Sequence, residues 1–283
     1  MNVLVIDIGG THVKILATGH DAARQFDSGP TLTPKKMVSQ VRKLASDWKY
    51  DGVSIGYPGP VLRGRPVLEP PNLGTGWVGF NYERAFKRPV KFVNDAAMQA
   101  LGSYKGGKML FLGLGTGLGS TMIVDGIVEP MELGHLPYKK ATFEDYVGVR
   151  GLEKHGKKKW RQYVADVVKR LIAALEPDKV VLGGGNVKKL KELPEGCVAG
   201  DNGNAFIGGF RLWEKARRHT SSGLATACLG LWLLFISLAP SESQPSAAYT
   251  RNAGFSRQGR GTILCFGSRS REFLLAEAGV PGA

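Results

Sequence analysis

The chain reads as an α/β protein in two comparable halves, each built on a mainly parallel or mixed sheet. Two glycine-rich turns carry the first argument, each following an apolar strand-like run: VLVIDIGGTHVK at Val3–Lys14 and MLFLGLGTGLGS at Met109–Ser120. Strands alternating with helices along both halves carry the second. The third is size. A chain of 283 residues exceeds one small module and suits two lobes, and 43% apolar content is that of a protein with a real core.

Asn2–Ile8 alternates little and is rich in Val and Ile, as a strand buried on both faces is. Val13–Thr18 is its hairpin partner across Gly9-Gly10. Pro34–Trp48 has helical spacing (Met37, Val41, Leu44, Ala45, Trp48), with Thr33 as N-cap and Pro34 at the first helical position. Gly52–Tyr57 is a short apolar strand ended by Pro58-Gly59-Pro60. Val90–Val93 runs as a strand into Asn94-Asp95, and Ala96–Tyr104 follows as a helix. In the second half, Met109–Leu114 and Ser120–Val124 pair around the second glycine turn. Phe143–Lys154 and Lys157–Leu175 are helical, Lys179–Leu182 is a strand ending in Gly183-Gly184-Gly185, and Gly203–Trp213 closes as an apolar helix. These elements set an N-terminal lobe at 1–104 and a C-terminal lobe at 105–214.

Composition shifts near Glu214. Residues 1–214 hold twenty Lys and ten Arg, whereas residues 215–283 hold one Lys and seven Arg, with Ser, Ala and Gly crowding in. No strand–helix alternation continues, so 215–283 is expected to be disordered or an aberrant extension and is given no function. Within it, Leu224–Ala239 is mostly apolar but shorter than the ~20 residues that span a bilayer. No membrane partner is expected.

The formal net charge of +14 implies attraction to polyanions without choosing among nucleic acid, membrane surface, nucleotide and polyphosphate. Cys197, Cys228 and Cys265 make no short-range pair, which argues against a disulfide framework and against a Cys-rich zinc site. A strand entered by Val3 is not a signal peptide, and a cytoplasmic location is expected.

Four groups of residues suit chemistry. In Asp7-Ile8-Gly9-Gly10-Thr11, a carboxylate at a strand end can hold Mg²⁺ through water while glycine amides approach phosphate oxygens without Cβ obstruction. It is no Walker A loop, lacking both the Gly-Lys-[Ser/Thr] ending and the following helix. An ordinary hairpin turn accounts for it equally, as a plain β-turn accounts for Gly115-Thr116-Gly117. Taken together, a shared phosphate site is the better reading. Asn94-Asp95 lies at a strand end, where ligands collect in α/β folds, and a carboxylate there can accept a proton from an attacking alcohol. The same pair is a good helix N-cap, and the two roles are compatible. Glu132 and His135 place a carboxylate and an imidazole where vicinal hydroxyls can be bound, although a lone His is more often structural than a ligand.

The ordered set DIGGTHVK, YPGP, PNLGTGW, VNDAAMQALG, LGLGTGLGS, ELGH, FEDYVG and VVLGGGN resembles the ROK-family sugar kinases, and most closely their polyphosphate-glucokinase branch. The resemblance runs from Met1 to about Glu214. It implies a two-lobed actin-like ATPase (ribonuclease H-like) fold with mixed sheets and a central cleft. It also implies phosphorylation of glucose or a related hexose at the 6-hydroxyl, with Mg²⁺ and with ATP, polyphosphate or both as donor. By position, Asp95 matches the general base, Asn94 and Asn72 match sugar-holding asparagines, and Glu132 and His135 match sugar ligands. Asp145 or Glu144 matches a further sugar contact. Asp7, Gly9, Gly10, Thr11 and Lys14 match the first phosphate segment, with Asp7 toward Mg²⁺. Gly115, Thr116 and Gly117 match the second, and Gly183, Gly184 and Gly185 the adenosine segment.

Two departures sharpen the reading. Many ROK proteins carry a Cys-rich zinc motif after the Gly-His pair; this chain has no Cys there, so no zinc is expected. The chain starts at its first strand without a helix-turn-helix, so specific nucleic-acid binding is not expected. Lys154, Lys157, Lys158, Lys159 and Arg161, with Lys188, Lys189 and Lys191, form a polyphosphate track or an ordinary solvated helix face. A homodimer is expected from the family. Two rival readings use the same scaffold: a non-catalytic sugar sensor, and an actin-like ATPase without a sugar substrate.

Overall fold

The computed structural model describes residues 1–201 and 203–214, which belong to one compact unit. The expectations for the 215–283 tail, including Leu224–Ala239, lie outside the described residues. The first half opens with β1 (Val3–Ile8), β2 (His12–Ala17) and β3 (Arg24–Asp27), an antiparallel meander. Helix α1 (Pro34–Leu44) then crosses over to β4 (Gly52–Tyr57), which lies parallel to β1. Thr33 caps α1 by accepting from the Lys36 amide, Pro34 stands in the first turn, and Arg42 and Lys43 face the negative end of the helix dipole. A small hairpin, β5 (Val61–Leu62) and β6 (Arg65–Pro66), and the short α2 (Tyr82–Phe86) precede β7 (Val90–Asn94), parallel to β4.

Period-two alternation along β1 feeds two cores. Leu4, Ile6 and Ile8 pack with Met37, Val41 and Trp48 on the α1 side, while Val3 and Val5 face Met98, Ala205 and Phe206. Burial on both faces explains why β1 and β4 read as continuous apolar runs.

After α3 (Asp95–Ser103), the second half repeats the plan. Strands β8 (Lys108–Leu114), β9 (Leu118–Val124) and β10 (Ile127–Met131) form another antiparallel meander. A two-residue-per-strand hairpin, β11 (Pro137–Tyr138) and β12 (Ala141–Thr142), leads into α4 (Phe143–Val147) and α5 (Val149–Leu175). Then β13 (Lys179–Gly183) and β14 (Cys197–Ala199) join parallel to β8. The two sheets have orders β3-β2-β1-β4-β7 and β10-β9-β8-β13-β14, the same sequence of places and directions twice over. This duplication puts the two glycine turns at equivalent hairpins.

One local detail differs from the sequence expectation and one agrees with it. The helix expected over Phe143–Lys154 is broken at Gly148, whose backbone is extended (φ −74, ψ −176). Val149 donates its amide to the Thr116 carbonyl (3.0 Å) instead of continuing α4, and a Cβ at Gly148 would stand 2.5 Å from that carbonyl. Inside α5, Gly156 is non-helical at φ 71, which matches the expected gap between Lys154 and Lys157.

The last helix, α6 (Asn204–Arg211), packs back on α3, β1 and β4. Glycines permit the crossing: a Cβ at Gly102 would run into the Asn204 carbonyl, and one at Gly208 into the Met98 carbonyl. Arg211 Nη1 closes the joint by donating to the carbonyls of Leu101 (2.7 Å) and Tyr104 (2.9 Å) at the end of α3. Helix α3 also touches strands of both sheets, so it links the two halves. Among the described residues, no helix is long and apolar enough to cross a membrane.

Candidate active site

The first glycine turn joins β1 to β2, with the Gly9 amide donating to the His12 carbonyl (3.0 Å). Asp7 lies opposite Lys14 in the β1–β2 register and beside Gly56 of β4. Burial pushes the Asp7 carboxyl up to about 6, with the Lys14 ammonium pulling the other way.

The second turn joins β8 to β9 and is tied down from behind. Asn186 donates its amide to the Leu114 carbonyl and its side-chain Nδ2 to the Gly115 carbonyl (both 3.0 Å), while Val149 holds the Thr116 carbonyl. Gly184, at φ +86, lets the β13 loop come within 2.5 Å of the Leu114 carbonyl at its would-be Cβ. Gly183 has no room beside the Phe111 ring. Gly185, in contrast, faces open space. Of the expected adenosine segment, two glycines are therefore accounted for by packing and one is free to meet a ligand. The two turns face each other: Thr116 Oγ1 lies 4.0 Å from where a Gly10 Cβ would be.

Asn94 and Asp95 sit where β7 becomes α3. Asn94 is the N-cap, its Oδ1 accepting from the amides of Ala96 (3.0 Å) and Ala97 (3.2 Å) while its Nδ2 donates to the Gly59 carbonyl (3.1 Å). That leaves one amide hydrogen for a ligand. Asp95 accepts from Ala96 N at 2.8 Å, yet its carboxyl is pushed up to about 7. Burial is the largest cause, and the nearby charges of Asp7 and, more weakly, Glu132 act in the same direction. Three carboxylates from three distant stretches of chain thus share one neighbourhood.

Glu132 and His135 flank a short 3-10 turn (Leu133–His135), with His135 Nε2 3.9 Å from Glu132 Oε2 and both side chains exposed. Ser120 Oγ holds this segment by donating to Met131 O (2.7 Å) and accepting from Leu133 N (3.0 Å). Glu144 lies against Gly117, where a Cβ would meet its Oε2, and Arg150 stands 3.6 Å from its Oε1. Arg150 also stands 3.1 Å from Asp145 Oδ1, while Asp145 Oδ2 accepts from Thr142 N (3.2 Å) and Thr142 Oγ1 (2.7 Å) in a capping box, which lowers its pKa. Asn72 is exposed on the loop between β6 and α2, without a side-chain hydrogen bond among the described residues. Glu69 clasps that loop, accepting from Trp77 N and Val78 N (both 3.0 Å). Sequence reasoning gave no role to Asn186, although it ends the VVLGGGN motif, and missed Glu69 and Arg150, which act on backbone or on another side chain and leave no motif.

The lysine runs come together at one place, where Arg161 Nε of α5 donates to the Lys189 carbonyl (2.8 Å). Lys157, Lys158 and Lys159 are exposed just past the Gly156 kink. For a divalent cation, the donor set fits Mg²⁺. Asp7 offers hard oxygen donors, and a cation beside it would relieve the repulsion between its carboxylate and that of Asp95. Among the described residues no cluster of three or more His, Cys, Asp or Glu could hold a metal.

Duplicated sheets meeting at glycine turns define a two-lobed actin-like ATPase fold. Within that class the chain belongs to the ROK family, whose model matches residues 3–151. It is 28% identical over 207 residues to a polyphosphate glucokinase of Mycobacterium tuberculosis, covering 65% of this chain and 77% of that one. Among solved structures, it resembles an inorganic polyphosphate/ATP-glucomannokinase from Arthrobacter sp. strain KM (TM-score 0.63, 22% identity, 74% of this chain and 96% of that one). It also resembles a ROK family glucokinase from Streptomyces griseus in complex with glucose and AMPPNP (TM-score 0.62, 16% identity, 75% and 99%).

Proposed function

We propose that the chain is a cytoplasmic hexose kinase that moves a terminal phosphoryl group from polyphosphate or ATP to the 6-hydroxyl of glucose or a related hexose. The observation that carries this reading is Asp95, a carboxylate at a helix start beside Asp7, whose pKa of about 7 suits a general base at neutral pH. The hexose hydroxyl gives its proton to Asp95 as its oxygen bonds to phosphorus, and the bridging oxygen of the donor leaves with the electron pair. Gly10, Thr11, Thr116 and Gly117 receive the donor phosphates on backbone amides and the Thr11 and Thr116 hydroxyls, the Gly9 and Gly115 amides being used inside their own turns, with Lys14 adding charge. Asp7 holds Mg²⁺ through water, and the ion supplies charge neutralisation on the transferring phosphoryl group.

Glu132, His135 and Asn72 take sugar hydroxyls. Glu144 takes the further sugar contact, because its Oε2 lies at the Gly117 turn, whereas Asp145 has Oδ2 in the capping box and Oδ1 on Arg150. Asn94 combines capping with its one remaining amide hydrogen. The joined lysine runs support polyphosphate as a donor, since a long polyanion needs a track that ATP does not. A homodimer is the proposed assembly. The test is a coupled sugar-phosphate assay on the full chain with Mg²⁺, crossing several hexoses with ATP and polyphosphate. Product with at least one pair is expected; none with any pair overturns the proposal.

A further inference from the structure

The first glycine turn has a second anchor that none of its motifs contains. Ser28, half-buried just after β3, donates twice to that turn: its Oγ to the Gly9 carbonyl (2.7 Å) and its amide to the Thr11 carbonyl (2.9 Å). A trans peptide carries its C=O and N–H on opposite edges, and there is no cis peptide among the described residues. Holding the Gly9 and Thr11 carbonyls toward β3 therefore turns the amides of Gly10 and His12 the other way. Gly10 is the residue that faces Thr116 of the second turn. Glycine left to itself samples many orientations of this peptide, so the hydroxyl restrains where restraint is scarcest.

We infer that Ser28 is a positioning residue for phosphoryl donor, a clamp that keeps the Gly10 amide aimed at the donor phosphates. This rests on the proposed phosphate role of the first turn. The segment that follows carries the restraint onward: Leu32 N donates to Gly29 O (2.9 Å), and Gly74 N donates to Leu32 O (3.0 Å). Gly74 belongs to the loop that presents Asn72. One short stretch thus braces the donor turn directly, through a side chain, and the sugar loop only through backbone. A Ser28 variant should consequently disturb donor more than sugar.

The test is calorimetric titration of inorganic tripolyphosphate, ATP and glucose, with Mg²⁺, into the full chain and its Ser28 variants. Ser28→Ala is expected to raise the donor Kd about three- to tenfold, the range of one lost hydrogen bond, and to leave the glucose Kd within about twofold. Ser28→Thr keeps the hydroxyl and should restore donor affinity. If Ser28→Ala does not fold, Ser28→Cys keeps the size with a much weaker donor and is read the same way. Wild-type donor affinity in Ser28→Ala, or in Ser28→Cys where it replaces Ser28→Ala, overturns the clamp, and so does equal loss of donor and glucose. Failure of the wild-type chain to bind either donor is a different result: it overturns the phosphate reading of the turn and the clamp with it.

Discussion

Asp95→Asn should make the protein more stable while making it inactive, and the gain should depend on pH in a defined way. The unfolded chain ionises Asp95 near 3.8, the folded chain only near 7. Between those values the folded protein holds a proton that the unfolded one has lost, so ionisation opposes folding as pH rises. At about 1.4 kcal/mol per pH unit, the penalty above pH 8 has a ceiling of about 4 kcal/mol. Partial solvent exposure reduces it, and we expect a gain of about 1–3 kcal/mol. The asparagine keeps an oxygen for the Ala96 amide, so the helix start survives. The assay is thermal and urea unfolding of both proteins at pH 8, 6.5 and 5, without Mg²⁺ or ligands. Melting should rise by several degrees at pH 8, and the gain at pH 5 should be less than half as large. A variant no more stable than wild type at pH 8, or a gain that does not shrink on acidification, refutes the account of Asp95.

Three further outcomes follow from the same geometry. Turnover at saturating substrate should climb with pH as Asp95 loses its proton, with a midpoint at or below the metal-free value of about 7, and a rate that falls as pH rises from about 4 to 7 contradicts this. Gly208→Ala should lose about 1–3 kcal/mol in urea unfolding, because its methyl meets the Met98 carbonyl and backbone cannot rotate away. Glu144→Gln should raise the hexose KM, whereas Asp145→Asn should leave KM unchanged and cost about 1 kcal/mol of stability through its capping box. The reverse pattern would return the sugar contact to Asp145.

The inner strands were legible because burial on both faces leaves a continuous apolar run, as in β1, β4, β8 and β13. The edges were not. β3 is RQFD and β10 is IVEPM, exposed or half-buried strands whose pattern is diluted by charge and proline. The return of α6 onto α3 was also hidden, since it depends on glycines that give no periodic signal. At the site, types and order were readable, but commitments were not. Thr142 decides that Asp145 caps, and helical phase then leaves Glu144 against Gly117. Ser28 was invisible because it acts on carbonyls, which every residue has.

The most direct measurement is ³¹P NMR of the reaction of wild type and Asp95→Asn with glucose, Mg²⁺ and either ATP or polyphosphate. The account predicts glucose 6-phosphate from wild type with at least one donor, and a rate lower by about 10²–10⁴-fold in the variant. Phosphorylation at another hydroxyl, or near-equal rates in the two proteins, would contradict it.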